Sequence, residues 1–206
     1  MNSRDIALTG LLIALAWSVH YLMRFTGSIT GDLQFGISIS FYCLIVLLIR
    51  MSLSQASIVG LAAGLALATA TAAPFPLANV PAHMAGIVSC KIASDRLRGE
   101  DGSLRPGAVS AAVVIATAAS FFAFVLASYY GILSFPELAR GGAGIVEAIA
   151  DGRIGLVGFV IPSLLKVGLP TMACSMTSLY SSETTMQQLV NPNSKIQDAS
   201  AWLFTT

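Results

Sequence analysis

The chain has 206 residues, about one domain's worth, with 55% hydrophobic and 10% charged side chains and a mean hydropathy of +0.79. A net charge of +1 argues against a nucleic-acid partner, which would need a strongly basic surface. Three cysteines in apolar stretches and two histidines form neither a disulfide framework nor a zinc site, so no metal and no cofactor are expected.

Six apolar stretches organise the chain: Ile6–Met23, Phe35–Ile49, Leu53–Ala73, Leu77–Cys90, Gly107–Leu133 and Gly155–Leu179. A helix needs about 20 apolar residues to cross ~30 Å of hydrocarbon. The first, third, fifth and sixth stretches meet this, and the second and fourth are short. With the N-terminus inside, the inner segments hold seven cations (Arg4, Arg50, Lys91, Arg96, Arg98, Arg105 and Lys195). The outer ones hold three: Arg24, Arg140 and Arg153. The positive-inside rule then predicts an all-α integral membrane protein, with six transmembrane helices in one bundle and both termini cytoplasmic. Residues 1–180 form this domain and 181–206 a polar cytoplasmic tail, in a multi-pass protein of the cell membrane.

The first stretch opens like a signal peptide, but His20, Tyr21 and Arg24 close it like a membrane-interface anchor, so it is read as a retained helix. Arg24 to Gln34, with two glycines and several hydroxyls, reads as an outer loop. Ser54 is a candidate cap for the third helix. That helix is poor in bulky side chains, and Gly60 and Gly64 leave one face open to a neighbouring backbone. The face serves either docking of a partner or packing within the bundle. Three prolines between Pro74 and Pro81 predict a stiff outer turn, the roof or wall of a site, feeding a short helix with His83. The run Lys91–Pro106 reads as a solvated inner loop, and residues 145–150 as a short surface helix.

Enzyme signatures are missing: neither a zinc-protease, nucleophile-elbow nor phosphate-loop motif occurs, and no carboxylates pair within a span. No catalytic residue is therefore expected. Lys166 is the one cation near the middle of a stretch, where an ammonium costs at least about 2.5–3.5 kcal/mol. Pro162, Gly168 and Pro170 predict a kink around it. It either faces a cavity or snorkels to the interface. Trp17, His20, Tyr21 and Arg24 cluster at the outer end of the first helix. They form an aromatic belt, or a ligand wall on which Asp32, Gln34, Asn79 and His83 converge. Such a wall offers aromatic surface, a carboxylate partner in Arg24 and an ammonium partner in Asp32, with Lys166 at the floor. It suits a small zwitterionic or aromatic solute.

Six helices in about 200 residues without a nucleotide motif resemble the substrate-binding (S) components of energy-coupling factor transporters. The first helix of that family carries an Ala-x-x-x-Ala docking pair, and Gly10-Leu-Leu-Ile-Ala14 stands at the matching place. Gly31-Asp-Leu through Ala73-Pro-Phe-Pro-Leu-Ala-Asn-Val-Pro81 is similar to the bacterial tryptophan-transporter branch. The resemblance covers roughly residues 5–95. It implies a solute-binding subunit of an ATP-driven importer for a small organic nutrient, a tryptophan-like amino acid or a vitamin. The implied partners are a transmembrane coupling subunit and ATPase subunits, with Gly10 and Ala14 as docking residues, to which the small-residue face of the third helix adds Gly60 and Gly64. The alternatives are a structural or an ion-translocating subunit of a larger membrane complex.

Overall fold

The structure is a computed structural model that describes residues 1–30, 37–100, 107–140, 143–169 and 171–173, and the described residues are helical with short connections. The helices are α1 (Ser3–Thr30), α2 (Ile37–Leu48), α3 (Leu53–Ala70), α4 (Asn79–Leu97), α5 (Ala108–Ser134), α6 (Ala143–Ala150) and α7 (Leu156–Ser163). A 3-10 turn, Pro76–Ala78, precedes α4, another, Pro136–Leu138, follows α5, and a π-helical turn, Leu164–Gly168, continues α7.

Four helical segments are long and apolar enough to cross a membrane: Ser3–Leu22, Leu53–Ala70, Ala108–Ser134 and Leu156–Ala173. Their surfaces fit that solvent. On α3 the inward stripe is small (Ala56, Gly60, Ala63, Gly64 and Ala70), while Ile58 and Leu65 stand 66% and 52% exposed. On α5 the outward residues Ile115, Phe122, Leu126 and Leu133 are large, and Ala112, Ala116 and Ser120 face the core. A surface of large apolar side chains on this scale is stable only against lipid or other protein.

The two short stretches lie inside. The described part of α2 has 12 residues, which at 1.5 Å each is about 18 Å, and Tyr42, Cys43, Ile45 and Val46 are almost fully buried. The α4 helix packs against α2, α3 and α5, which explains its modest hydropathy: it is solvated by protein rather than lipid. The α3 and α4 backbones meet directly. A Cβ on Gly60 would lie 2.8 Å from the Met84 Cα, and one on Gly64 would lie 2.6 Å from the Val80 Cα. Gly60 and Gly64 are therefore consumed by packing within the bundle and are not open to a partner, which corrects their assignment as docking residues. Cys43 and Cys90 meet in the core as free thiols, and Cys174 lies outside the described residues.

Local chemistry sets the helix ends. The Asn2 and Asp5 side chains each accept from the other residue's backbone N–H, closing the start of α1. Ser52, not Ser54, caps α3: its hydroxyl accepts from Gln55 N at 3.2 Å, and Gln55 Oε1 accepts from Ser52 N at 2.9 Å. The α1 helix runs on to Thr30, so the expected loop begins later than Arg24. Nothing in residues 24–30 blocks a helix as proline would, and one glycine costs only about 1 kcal/mol. Pro81 falls in the first turn of α4, where its missing N–H has no intrahelical acceptor to lose. The α4 helix also extends past Cys90 to Leu97, taking in residues expected in the inner loop. Lys91 and Asp95 pair one turn apart on it.

The proline turn is pinned at the end of α5. A Cβ on Gly131 would fall 2.2 Å from the Phe75 ring, so the missing side chain makes the seat for that ring. Pro74 O accepts from Arg140 N at 2.6 Å. Phe75, Ala78, Ile132 and Ile149 of α6 form a small separate core there, so the expected surface helix has one buried side. Around Lys166, where a kink is expected, α7 contains Pro162 and passes into the π-helical turn.

Candidate functional site

The sequence-predicted residues separate into those the fold gathers and those it does not. From the C-terminal half of α1, Trp17 and Tyr21 sit one turn apart, which stacks their rings with centroids 5.2 Å apart and planes 8° from parallel. Trp17 Nε1 donates to Thr69 Oγ1 of α3 at 3.0 Å, and the Thr69 hydroxyl donates to Ala66 O at 2.6 Å. This chain of bonds fixes the indole against α3. Tyr21 keeps 37% of its surface exposed, so the stack presents one aromatic edge outward.

Beside it lies the buried centre. His83, one turn into α4, is 5% exposed and meets the Tyr42 ring of α2 edge-on, with centroids 4.9 Å apart at 70°. His20, from α1, is close enough for its charge to be felt at His83. Among the described residues the Nδ1 of His83 is buried without a hydrogen-bond partner. An imidazole nitrogen left unpaired in such a place costs about 1–3 kcal/mol, a status it shares with the buried hydroxyls of Thr9, Ser110 and Ser128. Chemically, the centre offers an imidazole donor or acceptor, a second imidazole and aromatic walls. That set suits a small solute with a flat ring and a polar group.

Asn79 takes a different place. It is 3% exposed and its Nδ2 donates to Pro76 O at 2.8 Å, clasping the 3-10 turn to the start of α4. Lys166 is exposed on the π-helical turn, which continues a helix packed on α5, whereas α1 packs on α2 and α3. Lys166 is thus not the floor of the Trp17–His83 cluster. Asp32, Gln34 and the Arg24 side chain lie outside the described residues, as does the polar tail at 181–206. Gly10 and Ala14 are exposed on α1, and a Cβ on Gly10 would meet nothing within 4 Å.

Two members escaped the sequence reading. Tyr42 sits in an unbroken apolar run where an aromatic ring carries no special signal, and Thr69 lies among alanines whose pattern points only to packing. Tyr42 joins the site because α2 and α4 cross beside His83, a long-range fact that periodicity does not encode. No family model, curated protein or solved structure matches the chain.

Proposed function

We propose that the chain is the membrane-embedded solute-binding subunit of an ATP-driven importer. It captures a small organic nutrient, a tryptophan-like amino acid or vitamin, and works with a transmembrane coupling subunit and ATPase subunits. The observation that carries this reading is the buried His83 imidazole, its Nδ1 unpaired among the described residues, near His20 and Tyr42 and on the side of α1 that carries the Trp17–Tyr21 stack. An ionisable side chain within membrane helices is by default a candidate for a ligand or transport path, and His83 is such a side chain. In this reading six helices cross or line the membrane with both termini cytoplasmic, and α2 and α4 are the protein-covered pair. Gly10 and Ala14 are the face that meets the coupling subunit, since they alone of the proposed docking residues are open.

A structural-subunit reading has its own support, the largely outward-facing first and last spans, with 17% and 18% of their windows buried. The two readings part at His83. If His83 is there for a ligand, His83→Leu removes an unsatisfied group and raises the melting temperature of the purified protein in detergent. The same change abolishes the thermal shift that one of a panel of amino acids and vitamins gives the unaltered chain. Arg140→Ala, exposed on the loop after α5, leaves both unchanged. A His83→Leu protein that melts lower, with no solute shifting either form, would support the structural reading and end the importer proposal.

A further inference from the structure

The opposite end of α4 holds an arrangement that solute capture does not use. A cavity of about 190 Å³ lies where α2 ends, α3 begins and α4 finishes. Val46, Ile49 and Met51 form its apolar wall, and Arg50, Lys91 and Arg98 bring three cations to it against one carboxylate, Asp95. The Lys91 side chain is only 15% exposed and is held by Asp95, whose own side chain is 53% exposed. Arg50 and Arg98 are close enough to repel. Burial first, and then the Arg50 charge, pull the Arg98 guanidinium below the ordinary arginine value, with Asp95 drawing it partly back. It stays charged at any physiological pH. Among the described lining residues the hollow therefore has two guanidiniums and a shielded ammonium against one carboxylate.

We propose that this hollow binds a phosphate-bearing anion, with the phosphate between Arg50 and Arg98 and Lys91 behind it. Guanidinium forks match phosphate oxygens in pairs, and the like-charge repulsion between Arg50 and Arg98 is relieved when an anion sits between them. The size limits the ligand. Sites for drug-sized solutes run to roughly 300–1,000 Å³, so 190 Å³ admits a headgroup fragment and not a second nutrient. The location favours a lipid: Arg50 and Lys91 each follow an apolar helical stretch, the level at which headgroup phosphates lie, and the apolar wall suits the first carbons of a glycerol backbone. Basic pockets between membrane helices are a known mode of anionic headgroup recognition. The proposal does not depend on the solute-binding reading.

The test uses the full chain purified in a neutral detergent. Phosphatidylglycerol or phosphatidylcholine is titrated in mixed micelles, and inorganic phosphate is titrated separately against potassium chloride at equal ionic strength, with melting temperature as readout. A saturable rise with phosphatidylglycerol, beyond that with phosphatidylcholine, assigns a lipid headgroup. A rise with inorganic phosphate beyond chloride, without the lipid preference, assigns a soluble phosphate compound. Either affinity falls about 30-fold in the Arg50→Gln, Arg98→Gln double variant, from about fivefold for each basic side chain near an anionic group. Should that variant fold poorly, Asp95→Asn supplies the second arm: it removes the competing carboxylate and tightens binding about threefold or more. Absence of any phosphate-dependent rise in the unaltered chain overturns the proposal, and so does a rise that neither variant changes.

Discussion

The contact between α3 and α4 gives the sharpest quantitative test of the fold, because two glycines of the same chain stand in opposite surroundings. In Gly64→Ala the new methyl lies 2.6 Å from the Val80 Cα and 2.9 Å from the Asn79 carbonyl oxygen. Carbon pairs are at their optimum near 3.5–4.0 Å, so the two backbones must separate by about 1 Å. Both neighbours are main chain, and no side chain can swing away to absorb the change. A gap of that size forfeits a quarter to a half of each contact, worth ~0.1–0.2 kcal/mol apiece. Summed along the interface, the loss falls in the 1–3 kcal/mol range typical of overpacking. Helix propensity returns up to about 1 kcal/mol for Gly to Ala. In Gly10→Ala nothing lies within 4 Å of the new methyl, so only the favourable propensity remains. The two variants should differ by about 1–3 kcal/mol, or very roughly 2–12 °C in melting temperature for a chain of this size. Thermal unfolding of both proteins in the same detergent measures the difference. If the two melt within a degree of each other, or Gly64→Ala melts higher, α3 and α4 are not in backbone contact and the arrangement around His83 is wrong with them.

Other outcomes follow from the same geometry. Trp17→Phe removes the 3.0 Å bond to Thr69 and should cost about 0.5–1.5 kcal/mol; Thr69→Val should cost a similar amount, and the double variant less than the sum, whereas full additivity would mean the bond is not formed. Gly10→Leu and Ala14→Leu, on the open face of α1, should prevent co-purification with a coupling subunit while leaving the melting temperature near that of the unaltered chain; normal co-purification of both would make that face an ordinary lipid contact. Tags at Met1 and Thr206 should be protected in sealed cells, and an external signal from either end would overturn the six-span arrangement.

Hydropathy alone located the helices, because a residue's preference for lipid or water is a local property that adds along the chain. The stretches at 6–23, 53–73 and 107–133 coincide with α1, α3 and α5 to within a few residues at most ends. The irregular helical turn after Pro162 was equally legible, since proline removes its own backbone donor wherever it stands. Trp17 and Tyr21 could be placed together because one helical turn separates them, and the structure stacks them. What one helix does to another was not legible. Gly60 and Gly64 read as a face for packing or for docking, and the approach of the α4 backbone decides for packing. Asn79 and His83 are four residues apart on one helix, yet the first closes a turn while the second enters the core beside Tyr42. Lys166 looked central because its stretch is apolar, and its exposure follows from α7 packing on α5 alone among the long helices it touches substantially. Arg50, Lys91 and Arg98 read as separate topology signals until the ends of α2 and α4 brought them to one hollow. Sequence determines which segments leave water. The pairing of their faces depends on side-chain volume and backbone approach between residues far apart in the chain, and that is settled only when the bundle closes.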